Sequence, residues 1–171
     1  ELEVFTSPER YVNLAAANGA ITIYEGYGYH KDFYDNPQAP MDEDVRKRML
    51  TGRGQTPASQ AERLSTQLHC QTRFDNALKG FDALLTPTIT DTAPLLSEID
   101  QDISPGHFTR PFNYLDMCAL SMPTLPAVGR LPTSLQIVAR AGQEPLVLRI
   151  GAALERTFEV PAHPDFSALR D

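Results

Sequence analysis

Asp82-Ala-Leu-Leu-Thr-Pro-Thr88 is a short, continuously apolar run that stops on a threonine–proline pair. Ala83-Leu84-Leu85 suits a strand buried on both faces, and Pro87, which has no N–H, should end its ladder. Leu135-Gln-Ile-Val-Ala139, reached after Leu131-Pro132, has the same character. Helix patterns surround these two runs. Thr56-Pro57 reads as a cap followed by a first-turn proline. From there Ala61, Leu64 and Leu68 form an apolar stripe, which Cys70, Phe74, Leu78 and Phe81 continue further round until Gly80 offers a stop. Thr109 can cap a helix over Arg110 to Ala119. Glu144 to Phe158 repeats Leu146, Ile150, Leu154 and Phe158 every fourth position, the mark of one buried face. Helix–strand–helix–strand–helix predicts the α/β class. Two or three short strands make a poor independent sheet, so these strands are expected to belong to a larger one.

The rest of the chain reads more weakly. Ser7-Pro8-Glu9 looks like a helix start, with Tyr11, Val12, Leu14 and Ala15 following and Asn18-Gly19 as a stop. Residues 20–28 suit either strand or helix. Residues 26–40, rich in Gly, Tyr, Asp and Pro, predict a surface loop. A short helix over Asp42 to Leu50 should end at Thr51-Gly52 and carry Arg46-Lys47-Arg48 as a solvated face. Residues 90–107 read as loop, Pro123 and Pro126 bracket an extended piece, and Pro161 to Asp171 reads as a frayed tail.

Composition narrows the functional classes. With 171 residues and 42% hydrophobic content the chain can bury a real core, and fourteen prolines predict many loops. A formal net charge of -7 argues against a nucleic-acid partner. No apolar run approaches the roughly 20 residues of a membrane span, and no secretory segment opens the chain. The first residue is Glu1, so a truncated or processed chain is expected. Two cysteines, Cys70 and Cys118, form no CxxC pair. They fit a reduced, cytoplasmic compartment, with a disulfide left open. Gly26-Tyr-Gly28 lacks the third glycine of a dinucleotide loop, and Gly52-Arg-Gly54 lacks the ending of a phosphate loop. His30, Asp32 and Asp35 sit in an aromatic, proline-flanked stretch that predicts no metal site. Cys118 is expected on a helix and so not paired with His107. Glu98, Asp100 and Asp102 read as solvated.

Several segments together resemble the C-terminal portion of the amidase-signature family. They are Asp44-Val-Arg-Lys-Arg-Met-Leu-Thr-Gly52, Gln71-Thr-Arg-Phe74, Asp82 to Thr88, Phe108-Thr-Arg-Pro-Phe-Asn-Tyr114, Ala119-Leu-Ser-Met-Pro123, Leu131-Pro-Thr-Ser-Leu-Gln-Ile-Val138 and Leu148-Arg-Ile-Gly-Ala152. The resemblance covers residues 40–158, weakly 1–40, and treats 159–171 as tail; residues 1–171 would be part of one domain. It departs at Asp116, where the family often has Gly, and across Arg130 to Gln136. It implies a few-stranded mixed sheet flanked by helices, incomplete without an N-terminal half. It also implies hydrolysis of a carboxamide C–N bond by a Ser–Ser–Lys triad through a serine acyl-enzyme, with no metal or organic cofactor.

The triad itself is not matched. No Gly/Ser-rich loop is present, and Lys31, Lys47 and Lys79 all have polar neighbours in the sequence. The resemblance therefore places the catalytic residues upstream of Glu1 and implies that this chain alone is inactive. Pockets in open α/β sheets form at the carboxyl ends of strands. Thr86, Thr88 and Ile89 follow such a strand, and Phe108 and Thr109 precede a helix start. These five are the substrate-pocket candidates. Asn113 and Gln136 read as structural ties. The implied partners are a small amide substrate and the missing N-terminal half, with homo-oligomerisation left open. A protein of the amidotransferase A-subunit type and a non-catalytic binding module are the competing readings.

Overall fold

The cap at Thr56 forms as its residues dictate. Thr56 Oγ1 accepts the Ser59 N–H at 3.2 Å, and Ser59 Oγ accepts the Thr56 N–H at 3.3 Å, a reciprocal capping box. It opens one of five α-helices in the computed structural model, which describes residues 1–100, 104–124 and 131–158. In chain order the elements are α1 (Tyr11–Asp35), α2 (Glu43–Leu50), α3 (Pro57–Ala77), β1 (Leu84–Pro87), α4 (Arg110–Tyr114), β2 (Cys118–Pro123), β3 (Ser134–Ala139) and α5 (Glu144–Phe158). Single 3-10 turns occupy Leu96–Glu98 and Pro105–His107. Pro126, Arg130, Asp102 and the tail from Pro161 lie outside the described residues. No helix among the described residues is long and apolar enough to cross a membrane.

The expected few-stranded sheet flanked by helices is present, though its described strands pair only antiparallel and not in the mixed arrangement expected. Its order is β1-β3-β2, and both pairings are antiparallel. Because strand side chains alternate, register decides which residues share a face. Val138 lies opposite Leu84 and Ala119, Ile137 opposite Leu85 and Leu120, and Gln136 opposite Thr86 and Ser121. The Ile137 face packs on α5 through Met122, Ala139 and Val147, with Leu120, Ile150 and Leu154 against them. Gly151 permits this approach, since a Cβ there would stand 2.4 Å from Leu120 Cδ2. The Val138 face meets Leu84, Phe74, Leu78, Leu14, Phe112 and Tyr114 from β1, α1, α4 and the end of α3. Each such buried side chain contributes about 1.5–3 kcal/mol relative to exposure.

The first forty residues differ most from expectation. The turn at Ser7 is local: its Oγ accepts the Glu9 N–H at 3.4 Å, and the residue preceding α1 is Arg10, without a side-chain cap. The helix passes through Gly19 and runs to Asp35, departing from helical angles only at His30. Gly26, in the predicted loop, instead lies inside α1, where an added Cβ would fall 2.3 Å from Met49 Cε. Gly52 follows the end of α2 as expected, and an added Cβ there would fall 2.6 Å from Tyr27 Cβ. The predicted loop therefore shortens to the residues around Asn36–Pro40. Arg46, expected to be solvated, is buried and donates to the carbonyls of Tyr34, Asn36 and Ala39 at 3.0, 2.6 and 2.7 Å.

Four further expectations are corrected. α4 stops at Tyr114 rather than Ala119, because Asp116 adopts φ 54°. The Met117 N–H then bonds Phe112 O at 3.0 Å and the Asp116 N–H bonds Asn113 O at 3.2 Å, a left-handed helix closure that Gly usually provides. Cys118 consequently opens β2, with its Sγ donating to Arg140 O at 3.2 Å; it and Cys70 are free thiols. Leu64 and Leu68, which the periodicity assigns to a buried stripe, are 44% and 65% exposed. Leu85 is exposed too, since β1 is an edge strand in the described sheet.

Candidate functional site

One step along β3, from Val138 to Gln136, carries the inner sheet face from apolar to polar. Gln136 is 3% exposed. Its Nε2 donates to Thr86 Oγ1 at 3.0 Å and to the Phe108 carbonyl at 2.8 Å. A carbonyl only accepts, so the Phe108 contact fixes the orientation of the amide. Gln136 thereby joins β1, β3 and the turn before α4. A tie to backbone inside the sheet is expected of Gln136; the backbone it bonds is instead that of Phe108, outside the sheet.

Thr88 stands next along the chain on the same face as Thr86. Its N–H continues the ladder to Ser134 O at 3.2 Å, and its Oγ1 lies 2.9 Å from Ser121 Oγ. The pairing therefore extends past Pro87, although the missing N–H there predicts its end. On the opposite face Thr124 and Thr133 form a separate hydroxyl pair, their Oγ1 atoms 2.8 Å apart. A groove of about 510 Å³ lies at this end of the sheet, with Leu85, Ile89, Thr124, Thr133 and Leu135 in its wall together with Thr86.

Phe108 is partly buried, its ring edge-on to Tyr11 at 6.1 Å and to His107 at 4.7 Å. Burial pushes the Tyr11 phenol up from its usual pKa. Thr109 precedes α4, but its side chain makes no capping bond, which corrects that expectation. Its backbone N–H bonds Gly106 O at 3.3 Å. Asn113 is exposed on α4. Gln136 thus connects Thr86 directly to the Phe108 backbone, Thr109 follows in chain, and Thr88 and Ile89 extend from the β1 end.

Ser121 escapes a reading of the sequence. It falls in a stretch that reads as helix end and proline-bracketed coil. Only the alternation of a strand over Cys118–Pro123 aligns it with Gln136. Among the described residues no group of three His, Cys, Asp or Glu side chains is placed to hold a metal ion. Chemically the site is a row of hydroxyls and one fixed amide, suited to hydrogen bonding with a polar ligand and to shaping a pocket. None of these groups is an activated nucleophile with an adjacent base.

Comparison with known proteins gives a consistent pattern. The amidase family model matches residues 6–148. The chain is 35% identical over 99 residues to a glutamyl-tRNA(Gln) amidotransferase subunit of Granulibacter bethesdensis, covering 56% of this chain and 20% of that protein. It is 33% identical over 92 residues to a 6-aminohexanoate-cyclic-dimer hydrolase of a Pseudomonas species, covering 44% and 19% respectively. Its fold matches a crystal structure of an amidase with a TM-score of 0.75 at 23% identity, over 86% of this chain and 36% of that one. The chain spans about a fifth to a third of the length of the curated relatives it matches.

Proposed function

The chain belongs to the amidase family, and from that membership we propose that it is the C-terminal part of an enzyme that hydrolyses a carboxamide C–N bond through a serine acyl-enzyme. In this reading the nucleophile, its relay serine and the lysine base reside elsewhere in the parent polypeptide. The present residues contribute a wall of the substrate pocket: Thr86, Thr88, Ile89, Phe108 and Thr109. The observation that carries the reading is the buried Gln136, whose two bonds hold Thr86 and Phe108 at the open end of the sheet. Preorganised donors and acceptors around a reacting acyl group are worth more than flexible ones, because they need no reordering during reaction. Exposed Leu64, Leu68 and Leu85 also fit a chain whose natural surroundings cover them.

Assaying the parent polypeptide for release of ammonia or amine from simple carboxamides tests this reading. Turnover is expected, with Thr86→Val raising KM or lowering kcat while the protein stays folded. Absence of turnover with every amide offered would remove hydrolysis. A second reading is favoured by the relatives named as glutamyl-tRNA(Gln) amidotransferase subunits. Under it the parent transfers ammonia to an activated acyl group and works beside other polypeptides. Ammonia transfer to an activated acyl donor, without turnover of simple amides, would select it.

A further inference from the structure

The two edges of the sheet differ in what they leave unpaired. The Thr124 N–H bonds Thr133 O at 3.1 Å. Hydrogen-bonded pairs alternate along an antiparallel ladder, so Met122, Leu120 and Cys118 bond β3 in the same way. The N–H and C=O groups of Ala119 and Ser121 therefore point away from β3. Both residues are exposed, and among the described residues no strand pairs with this edge. The open stretch has defined ends. Pro123, next in the outward row, has no N–H, and the Met117 N–H is taken by Phe112 O. By the same alternation β1 leaves Leu85 and then Pro87 facing outward, a shorter row with one donor. Native edges are commonly blunted by charge, proline or a bulge, whereas the outward pair of β2 is uncharged.

α5 flanks the same edge. A groove of about 300 Å³ lies between them, with Leu120, Ser121, Leu148, Ala152 and Glu155 in its wall. Leu148 is 59% exposed. Gly151 rests on Leu120, which fixes the middle of α5 over the middle of β2. Arg149 and Glu155 stand at equal distances along the chain on either side of Ala152. Both are exposed, and among the described residues neither forms an ion pair.

We propose that β2 and α5 form an isologous interface with a second copy of this chain, joining the two sheets edge to edge. Ala119 and Ser121 are the outward β2 residues that can both donate and accept. A two-fold pairing therefore sets Ala119 against Ser121 of the second copy and Leu120 against its own counterpart. Because Gly151 stands over Leu120, the same axis brings the two α5 helices together, antiparallel, at Gly151–Ala152. Small residues there permit packing at interaxial distances of about 8–10 Å. Reversal of direction about Ala152 then places Arg149 of each copy opposite Glu155 of the other, and closes Leu148 from water. The charge pattern of α5 is thus complementary to itself about the point that the strand edge selects independently. This surface is separate from exposed Leu64, Leu68 and Leu85, and nothing in the inference depends on amide hydrolysis.

Sedimentation equilibrium of the parent polypeptide tests it, and a reversible dimer is expected. Ala119→Pro deletes an outward donor from each copy and should weaken dimerisation about tenfold or more. Glu155→Arg and Arg149→Glu each set like charges across the axis and should weaken it about tenfold. Mixing these two variants restores opposite charges in both pairs, so heterodimers should form with near wild-type affinity. Should Ala119→Pro fail to fold, the two charge variants, both at exposed helix positions, decide. A monomeric parent, with another part of its own chain lying on the β2 edge, would overturn the proposal. So would a dimer indifferent to both charge changes, or a mixture of the two variants that yields no heterodimer.

Discussion

Two ends of one sheet face behave oppositely. At one end Leu84 pairs with Val138 beneath Phe74, Leu78 and Phe112, and every partner is apolar. Two residues along, Thr86 pairs with Gln136, and the face becomes polar. The same two strands supply both ends. Stability is concentrated where α1, α3 and α4 close over the sheet, and chemistry becomes available where they stop. Gln136 is the boundary: as buried as the core residues, yet bonded to the Thr86 hydroxyl and the Phe108 carbonyl.

The largest expected effect lies at the closed end. Leu84→Asp puts an unpaired carboxylate among Phe74, Leu78 and Val138 and should cost more than about 3 kcal/mol. Loss of soluble, cooperatively unfolding protein is the expected outcome. A native-like circular dichroism spectrum and an unchanged urea midpoint would break the comparison. At the boundary, Gln136→Leu deletes both donors and strands the Phe108 carbonyl. A destabilisation of about 1–3 kcal/mol is expected in urea unfolding. In a double-mutant cycle with Thr86→Val the two losses should fall short of additivity, because they share one hydrogen bond.

A smaller effect provides a control outside the sheet. The Arg53 guanidinium and the Tyr27 hydroxyl hold the Asp35 carboxyl below the usual carboxylate pKa. A depressed folded pKa stabilises above the unfolded value, and that contribution is lost as pH falls through the folded one. Wild type should therefore lose slightly more stability below about pH 4 than Asp35→Asn does. Equal acid slopes for the two proteins would contradict the pairing. The smallest change is expected at the open end. Thr88→Ala removes only the contact with exposed Ser121 and should stay within about 0.5 kcal/mol by thermal melting. A loss comparable to that of Gln136→Leu would mean that the open end is structural.

The sequence reveals the closed end more readily than the open one. α3 and α5 announce themselves by a Thr-Pro start and a four-residue apolar period, and β1 and β3 by short apolar runs. Where glycine serves packing, the sequence misleads. Gly26 reads as loop punctuation, but it lies inside α1 and lets that helix approach Met49. Asp116 misleads for a related reason: no pattern marks an aspartate that takes a left-handed angle, so β2 reads as helix and Ser121 goes unnoticed. Strand ends and helix starts are enough to nominate Thr86, Thr88, Ile89, Phe108 and Thr109 as pocket candidates. What links Thr86 to Phe108 is a hydrogen bond across fifty positions of chain, from Gln136 to Thr86, which local spacing cannot show.

The most direct measurement compares amide hydrolysis by the purified 171-residue chain with hydrolysis by the parent polypeptide at equal concentration. Ammonia release from the parent and none from the chain alone is the result expected of a segment that lends walls to a catalytic centre housed elsewhere. Hydrolysis by the isolated chain, abolished by changing one of its own side chains, would contradict the account.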